Sequence, residues 1–203
     1  MSGVLKPETR NPKPETLVMY TILPIADGTE EMEAVIVADV LRRAGWKVDV
    51  VSLEPSSLVT ASRGIRLVPD LSWDEVDWQA VDLLVLPGGA GGTERLMKDE
   101  RVLAQCRLRW QNQQWLAAVC AAPLILKAAG ILDGQTITSH PSVANELREV
   151  AEYVEDDVVV SGRLVTSRGP GTSFAFALEL VRRLDHPEKA HALAGAMVCP
   201  KSG

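Results

Sequence analysis

The chain has 203 residues, of which 46% are hydrophobic and 24% charged, and it carries a net charge of -6 at pH 7. That is enough apolar mass to build a core without disulfide or metal staples, and the negative balance weighs against binding a phosphate backbone. No apolar run approaches the roughly 20 residues needed to span a bilayer. No secretory leader is visible, and the three cysteines (106, 120 and 199) make no metal-like pair, so a soluble cytoplasmic protein with free thiols is expected.

Residues 1–15, rich in proline and charge, read as a flexible lead-in, and residues 16–203 as one domain. From Leu17 onward, β-like apolar runs alternate with helix-like stretches, the pattern of a mostly parallel sheet flanked by helices. Leu17 to Leu23 is the first expected strand. Thr29 to Ala44 has helical spacing and ends at Gly45, the position after a helix that glycine favours. Trp46 to Leu53 is the second strand. Trp73 and Trp78 then fall in the acid-rich segment WDEVDW, too short to bury both, so an exposed aromatic patch is expected there. Val81 to Leu86 is a strand leading into the glycine-rich LPGGAGG, residues 86–92. This loop lacks the endings of a Walker or dinucleotide loop and reads equally as a tight turn or an anion-holding backbone. A helical stretch containing Cys106 precedes the strand Leu116 to Val119. The helix Ala121 to Ala129 has Pro123 in its first turn and stops at Gly130. Thr136 to Thr138 is a further strand, and Val158 to Thr166, broken by Ser161-Gly162, reads as an antiparallel hairpin. Near the end, His186-Pro187-Glu188 marks a break between two helices, with Asp185 as the expected cap.

Chemistry concentrates where strands give way to helices. Cys120 lies at such a turn, at the carboxyl end of a buried strand, where open α/β sheets bind ligands. The positive end of the next helix faces the sulfur and is expected to lower its pKa. The residues alone leave two readings open, a reactive thiol or a small buried hydrophobe. In TEEMEAVIVADVLRRAG, Glu33 shares a helical face with Ile36, Val37, Val40, Leu41 and Ala44, so its carboxyl heads a stripe facing the sheet. Desolvation there should raise its pKa and equip it as a general acid. Glu30 reads as a favourable charge near the helix N-terminus. His140, in ITSHPSV, follows a strand and could relay protons.

Five blocks in order, ADGTEEMEAV, VLPGGAGG, AAVCAAP, ITSHP and LVTSRGPGTSFAFALELV, resemble the ThiJ/PfpI superfamily, in the branch of the Parkinsonism-linked protein deglycase and its bacterial relatives. The resemblance implies a flavodoxin-like three-layer sandwich with a mostly parallel central sheet, assembled as a homodimer through its first helix. It makes Cys120 the nucleophile and Glu33 the carboxyl touching the sulfur, with His140 beside them. Gly89 and Ala121 supply backbone N–H groups, and Arg168 and Pro170 border the pocket. It implies no metal and no cofactor. The implied substrates are methylglyoxal, glyoxal or early glycation adducts, with nucleic acid entering only as a glycated substrate. A redox-sensing stress chaperone using the same cysteine is the rival. A peptidase is disfavoured, because that branch carries His directly after its nucleophile, where this chain has Ala121.

Overall fold

The computed structural model describes residues 18–53 and 58–199, so the lead-in expected over residues 1–15 lies outside the described residues. The apolar runs become β1 (Tyr20–Ile25), β2 (Lys47–Ser52), two-residue strands β3 (Val59–Thr60), β4 (Arg66–Leu67) and β5 (Leu71–Ser72), β6 (Leu83–Leu86), β7 (Trp115–Val119), β8 (Thr136–Ile137), β9 (Glu152–Tyr153), β10 (Val158–Ser161) and β11 (Leu164–Ser167). Between them lie α1 (Glu31–Arg43), α2 (Ala90–Lys98), α3 (Glu100–Gln111), α4 (Pro123–Ala128), α5 (Ala144–Arg148), α6 (Ser173–Leu184) and α7 (Pro187–Ala196).

Seven strands form one sheet in the order β10-β11-β7-β6-β1-β2-β5. Its neighbours are parallel except β10 and β11, the antiparallel hairpin expected around Gly162. One face carries Ile22, Leu84, Leu86 and Leu116, packed against Leu96 of α2, Val102 of α3 and Ile125 of α4. The other carries Leu23, Val85, Ala117 and Val165, packed against Val37 and Leu41 of α1 and Phe176 and Leu180 of α6. Cover on both faces is why these strands read as continuous apolar runs rather than alternating ones. Truncating a fully buried member such as Leu41 to Ala would cost about 2–5 kcal/mol.

Three sequence expectations are corrected. The run at Thr136 does not join the main sheet, because β8 pairs only with β9 in a separate two-stranded ladder. Trp73 is buried, not exposed: the 3-10 turn Trp73–Glu75 sets it in the core, and half-buried Trp78 packs on it with ring centroids 4.5 Å apart, so no exposed aromatic patch forms. The cap of α7 is His186 rather than Asp185, whose carboxylate instead takes the Trp46 indole N–H at 3.1 Å and the Lys189 ammonium at 2.5 Å.

The topology locates the site. The chain leaves β1 to one side through α1 and β2, while β6 and β7 lie on the other side, so a crevice opens at the carboxyl ends of the central strands. Into it project the segments following β1, β6 and β7.

Candidate active site

Cys120 follows β7 directly and has φ of 64°, a left-handed conformation that non-glycine residues avoid at a cost of roughly 1–2 kcal/mol. Two hydrogen bonds hold it there. Its N–H donates to the Ser167 carbonyl at 3.0 Å, and its carbonyl accepts from the His140 N–H at 2.9 Å. The strained turn lifts the side chain off the strand end and leaves it 9% exposed at the crevice.

Glu33 meets it from α1. Its side chain is fully buried, Oε2 accepts the Gly88 N–H at 2.7 Å, and the carboxyl lies against the Cys120 thiol. Burial pushes the Glu33 pKa up to about 7, against the pull of hydrogen bonds from Cys120 and Gly88. The approach depends on missing side chains. A Cβ on Gly88 would fall 2.6 Å from the Cys120 Cβ and 2.7 Å from Glu33 Oε2. Gly89, with φ of 87°, would drive a Cβ to 2.4 Å from both the Glu30 nitrogen and the Gly28 oxygen. LPGG is therefore shaped by the close packing of loop, sulfur and carboxyl.

The expectation of a lowered thiol pKa is overturned. Burial first, then the charge and hydrogen bond of Glu33, push Cys120 up to about 12, while the N–H groups of Gly89 and Ala121 pull the other way. The helix-end donors expected to stabilise the sulfur are present, but the neighbouring carboxylate and the lost solvent outweigh them. Cys120 and Glu33 thus behave as a coupled pair that holds at most one negative charge near neutrality.

The remaining expected residues sit around this pair. The His140 ring is exposed, and its Nδ1 accepts the Ser142 N–H at 3.2 Å. His140 Cδ2 and Glu33 Oε1 converge on one point beside Gly169, at 3.6 and 4.0 Å from where a Cβ would stand. Pro170 opens the 3-10 turn Pro170–Thr172 on the same rim. Arg168 is committed to bracing, donating to the Glu155 carbonyl at 3.0 Å and pairing with its carboxylate at 3.9 Å. Glu30 caps α1 by accepting the Met32 N–H at 3.3 Å. Cys106 is sealed in the core, where burial pushes its pKa up to about 12, and Cys199 is partly buried.

One contributor is missing from the sequence reading. The tip of the β3–β4 hairpin covers the start of α1, with Ser62 Oγ at 2.8 Å from Glu30 Oε2 and 2.7 Å from Glu31 Oε2. The Arg63 N–H donates to Glu31 at 2.9 Å. Two-residue strands leave no periodicity to detect. A separate cavity of about 600 Å³ beyond β1 and β2 is lined by Asp27, Leu53, Arg95 and Lys98 and holds none of these groups. Among the described residues no cluster of His, Cys, Asp and Glu could hold a metal, and no helix is long and apolar enough to cross a membrane.

The pattern of the DJ-1/PfpI family matches residues 20–183. The chain belongs to that family. Within it, the chain is 41% identical over 175 residues to Protein dj-1beta of Drosophila melanogaster, covering 86% of this chain and 94% of the relative. It is 35% identical over 182 residues to the Glutathione-independent glyoxalase DJR-1.2 of Caenorhabditis elegans, covering 85% and 91%. It is also 41% identical over 176 residues to Protein DJ-1 homolog B of Arabidopsis thaliana, covering 86% of this chain but only 40% of that longer protein. The crystal structure of Drosophila DJ-1beta superposes with a TM-score of 0.87 at 38% identity, covering 91% of this chain and all of that one. The DJ-1/PfpI fold is thus reproduced across the sheet and both helical layers.

Proposed function

We propose that the protein is a cofactor-independent enzyme that converts methylglyoxal or glyoxal to the corresponding 2-hydroxy acid. The observation that carries this is the buried Glu33 carboxyl seated against a cysteine on a strained strand-to-helix turn. A family relative that carries the name of a glutathione-independent glyoxalase supports the substrate class.

The sulfur of Cys120 adds to the aldehyde carbon as its proton passes to Glu33, whose pKa near 7 suits it to accept and return protons at neutrality. The aldehyde oxygen takes that proton back from Glu33 and becomes the hydroxyl of a hemithioacetal, and the Gly89 and Ala121 N–H groups beside the sulfur would donate to the developing charge. Glu33 then takes the hydrogen from C1 and returns one to C2, while the C2 carbonyl becomes a hydroxyl and C1 a thioester carbonyl. Water releases the 2-hydroxy acid and restores the thiol. His140, on the rim, assists the oxygen-to-oxygen proton movement. Early glycation adducts, in which C1 already bears a protein sulfur or nitrogen, enter the same chemistry once that group leaves C1 with a proton and the Cys120 sulfur takes its place. The thiol must stay reduced to act, which suits a cytoplasmic setting.

The test is lactate formation from methylglyoxal without glutathione. Turnover abolished in Cys120→Ser supports the reading. No turnover by the wild-type chain would overturn it in favour of a redox sensor, in which the donors at the sulfur hold an oxidised cysteine.

We further propose a homodimer through α1 and the β3–β4 hairpin. Met32 and Val35 on the outer face of α1 are 52% and 50% exposed, and Ile65 and Val68 on the hairpin are 54% and 71% exposed. Val35, Leu67 and Val68 line one groove between the two elements. These exposed apolar side chains on two neighbouring elements are what a partner copy would cover.

A further inference from the structure

We infer that Gly169 is a specificity-determining residue, and that the space left by its missing side chain is the subsite for the carbon next to the attacked aldehyde. This rests on the carbonyl-enzyme reading above. Gly88 and Gly89 are glycines because a Cβ would collide with the site or the backbone. Neither reason applies to Gly169. Its backbone is extended, with φ of 163° and ψ of -164°, a conformation open to any residue. A Cβ there would make only ordinary contacts, 3.6 Å to His140 Cδ2 and 4.0 Å to Glu33 Oε1. Flexibility is not the reason either. The Gly169 N–H donates to Thr172 Oγ1 at 3.1 Å, and its carbonyl accepts from Thr172 Oγ1 at 3.0 Å and from Ser173 Oγ at 3.2 Å.

The second observation is Glu33 Oε1. Glu33 is fully buried, its Oε2 is taken by Gly88, and Oε1 has no hydrogen-bond partner. A buried carboxyl oxygen left without a partner carries a desolvation cost that a bound group can relieve. It faces the Gly169 gap, bounded on the other side by the His140 ring edge. A group filling the gap therefore touches the oxygen that must return a hydrogen to C2. The geometry seats C2, its oxygen and its substituent there, with C1 toward the sulfur. With the His140 ring edge at 3.6 Å and Glu33 Oε1 at 4.0 Å from that point, the space beside Gly169 favours short 2-oxoaldehydes, with a hydrogen or methyl on C2, over branched or aromatic ones.

The test is Gly169→Ala in the full chain, with kcat/KM measured for glyoxal and methylglyoxal. The added methyl competes with the C2 substituent, so the methylglyoxal-to-glyoxal ratio should fall at least about tenfold, the scale of one methylene in a fitted pocket. The rate at which peroxide oxidises Cys120 should stay within about twofold, since peroxide has no C2 group to seat. An unchanged ratio overturns the subsite. If the wild-type chain turns over neither aldehyde, the functional reading falls and the subsite is read by alkylation instead. Iodoacetamide carries an amide beside the carbon that the sulfur attacks, and the thiolate displaces iodide to form the S–C bond. Slower alkylation of Cys120 in Gly169→Ala, with peroxide oxidation unaltered, still supports the subsite, and equal alkylation rejects it.

Discussion

A carboxyl and a thiol in contact, both out of solvent, do not both ionise near neutrality, and that coupling sets how each responds to change. A serine at position 120 cannot supply an equivalent nucleophile, because its oxygen is less nucleophilic than sulfur and its hydroxyl gives up a proton to Glu33 far less readily than a thiol does. Turnover by Cys120→Ser should fall to background, whereas Cys106→Ser and Cys199→Ser should stay near wild type in the same assay. Glu33→Gln keeps the volume but removes the transferable proton, and its turnover should drop about 100-fold or more. His140, exposed on the rim and engaged by Ser142, should matter less, so His140→Ala turning over more slowly than Glu33→Gln would reverse these roles. The Glu33 pKa also makes a stability statement. Raised from 4.5 to about 7 in the fold, it means that the native state holds a proton which the unfolded chain has lost. Stability from this group is therefore full below pH 4.5 and is lost as pH rises through 7, a change of about 3 kcal/mol at ~1.4 kcal/mol per unit. Glu33→Gln removes that dependence. Urea melts at both ends of the window should show the variant gaining on wild type as pH rises, and parallel curves would refute the raised pKa.

At the scale of elements, what could be read from the sequence depended on length. The strands feeding the site and the helix bearing Glu33 each supply a full apolar run or several turns of periodic spacing, and Gly45 and Gly130 end their helices with φ of 80° and 72° as expected. Cys120 was legible as a junction, but its positive φ was not, because the residue in that conformation is a cysteine rather than a glycine and Val119 and Ala121 beside it carry no turn signal. Its raised pKa was also hidden, since spacing placed Glu33 near the sheet without giving its charge a distance from the sulfur. Trp73 and Trp78 misled for a related reason: a 3-10 turn has no apolar period, yet it buries one ring and packs the other on it. The loops hold the least legible part of the site, and Gly89 tests them. It needs both a left-handed backbone and an empty Cβ position, so Gly89→Ala must displace backbone at Glu30 and Gly28. A loss of about 1–3 kcal/mol is expected from overpacking alone. Because the same N–H points at the sulfur, turnover should fall even in the folded fraction. Full activity with wild-type stability would mean that the loop does not hold Cys120 and Glu33 as described.

For the whole molecule, the question is what covers the outer face of α1. Val40 appears to the helical pattern as part of that helix, but it is fully buried against the sheet and a charge there would unfold the protomer, so it cannot report on assembly. Val35 can. It is half exposed and lies in the groove with Leu67 and Val68, so a polar substituent there should leave an isolated protomer folded. In a two-fold contact each copy contributes the same face, so Val35→Glu places two desolvated carboxylates in one interface. Sedimentation equilibrium at micromolar concentration should give wild type twice the 22.0 kDa protomer mass, and Val35→Glu a mass near one protomer with its thermal midpoint only modestly lowered. Trp78→Glu is the control: its half-buried ring packs on Trp73 at the edge of the protomer core, so it should lower the midpoint without selectively dissociating the folded protein. The hairpin links this face to the chemistry, because Ser62 at its tip contacts Glu30 and Glu31, one helical turn or less from Glu33. A Val35→Glu protein that is monomeric and folded should therefore also lose part of its turnover, whereas one that remains a dimer would place the interface elsewhere.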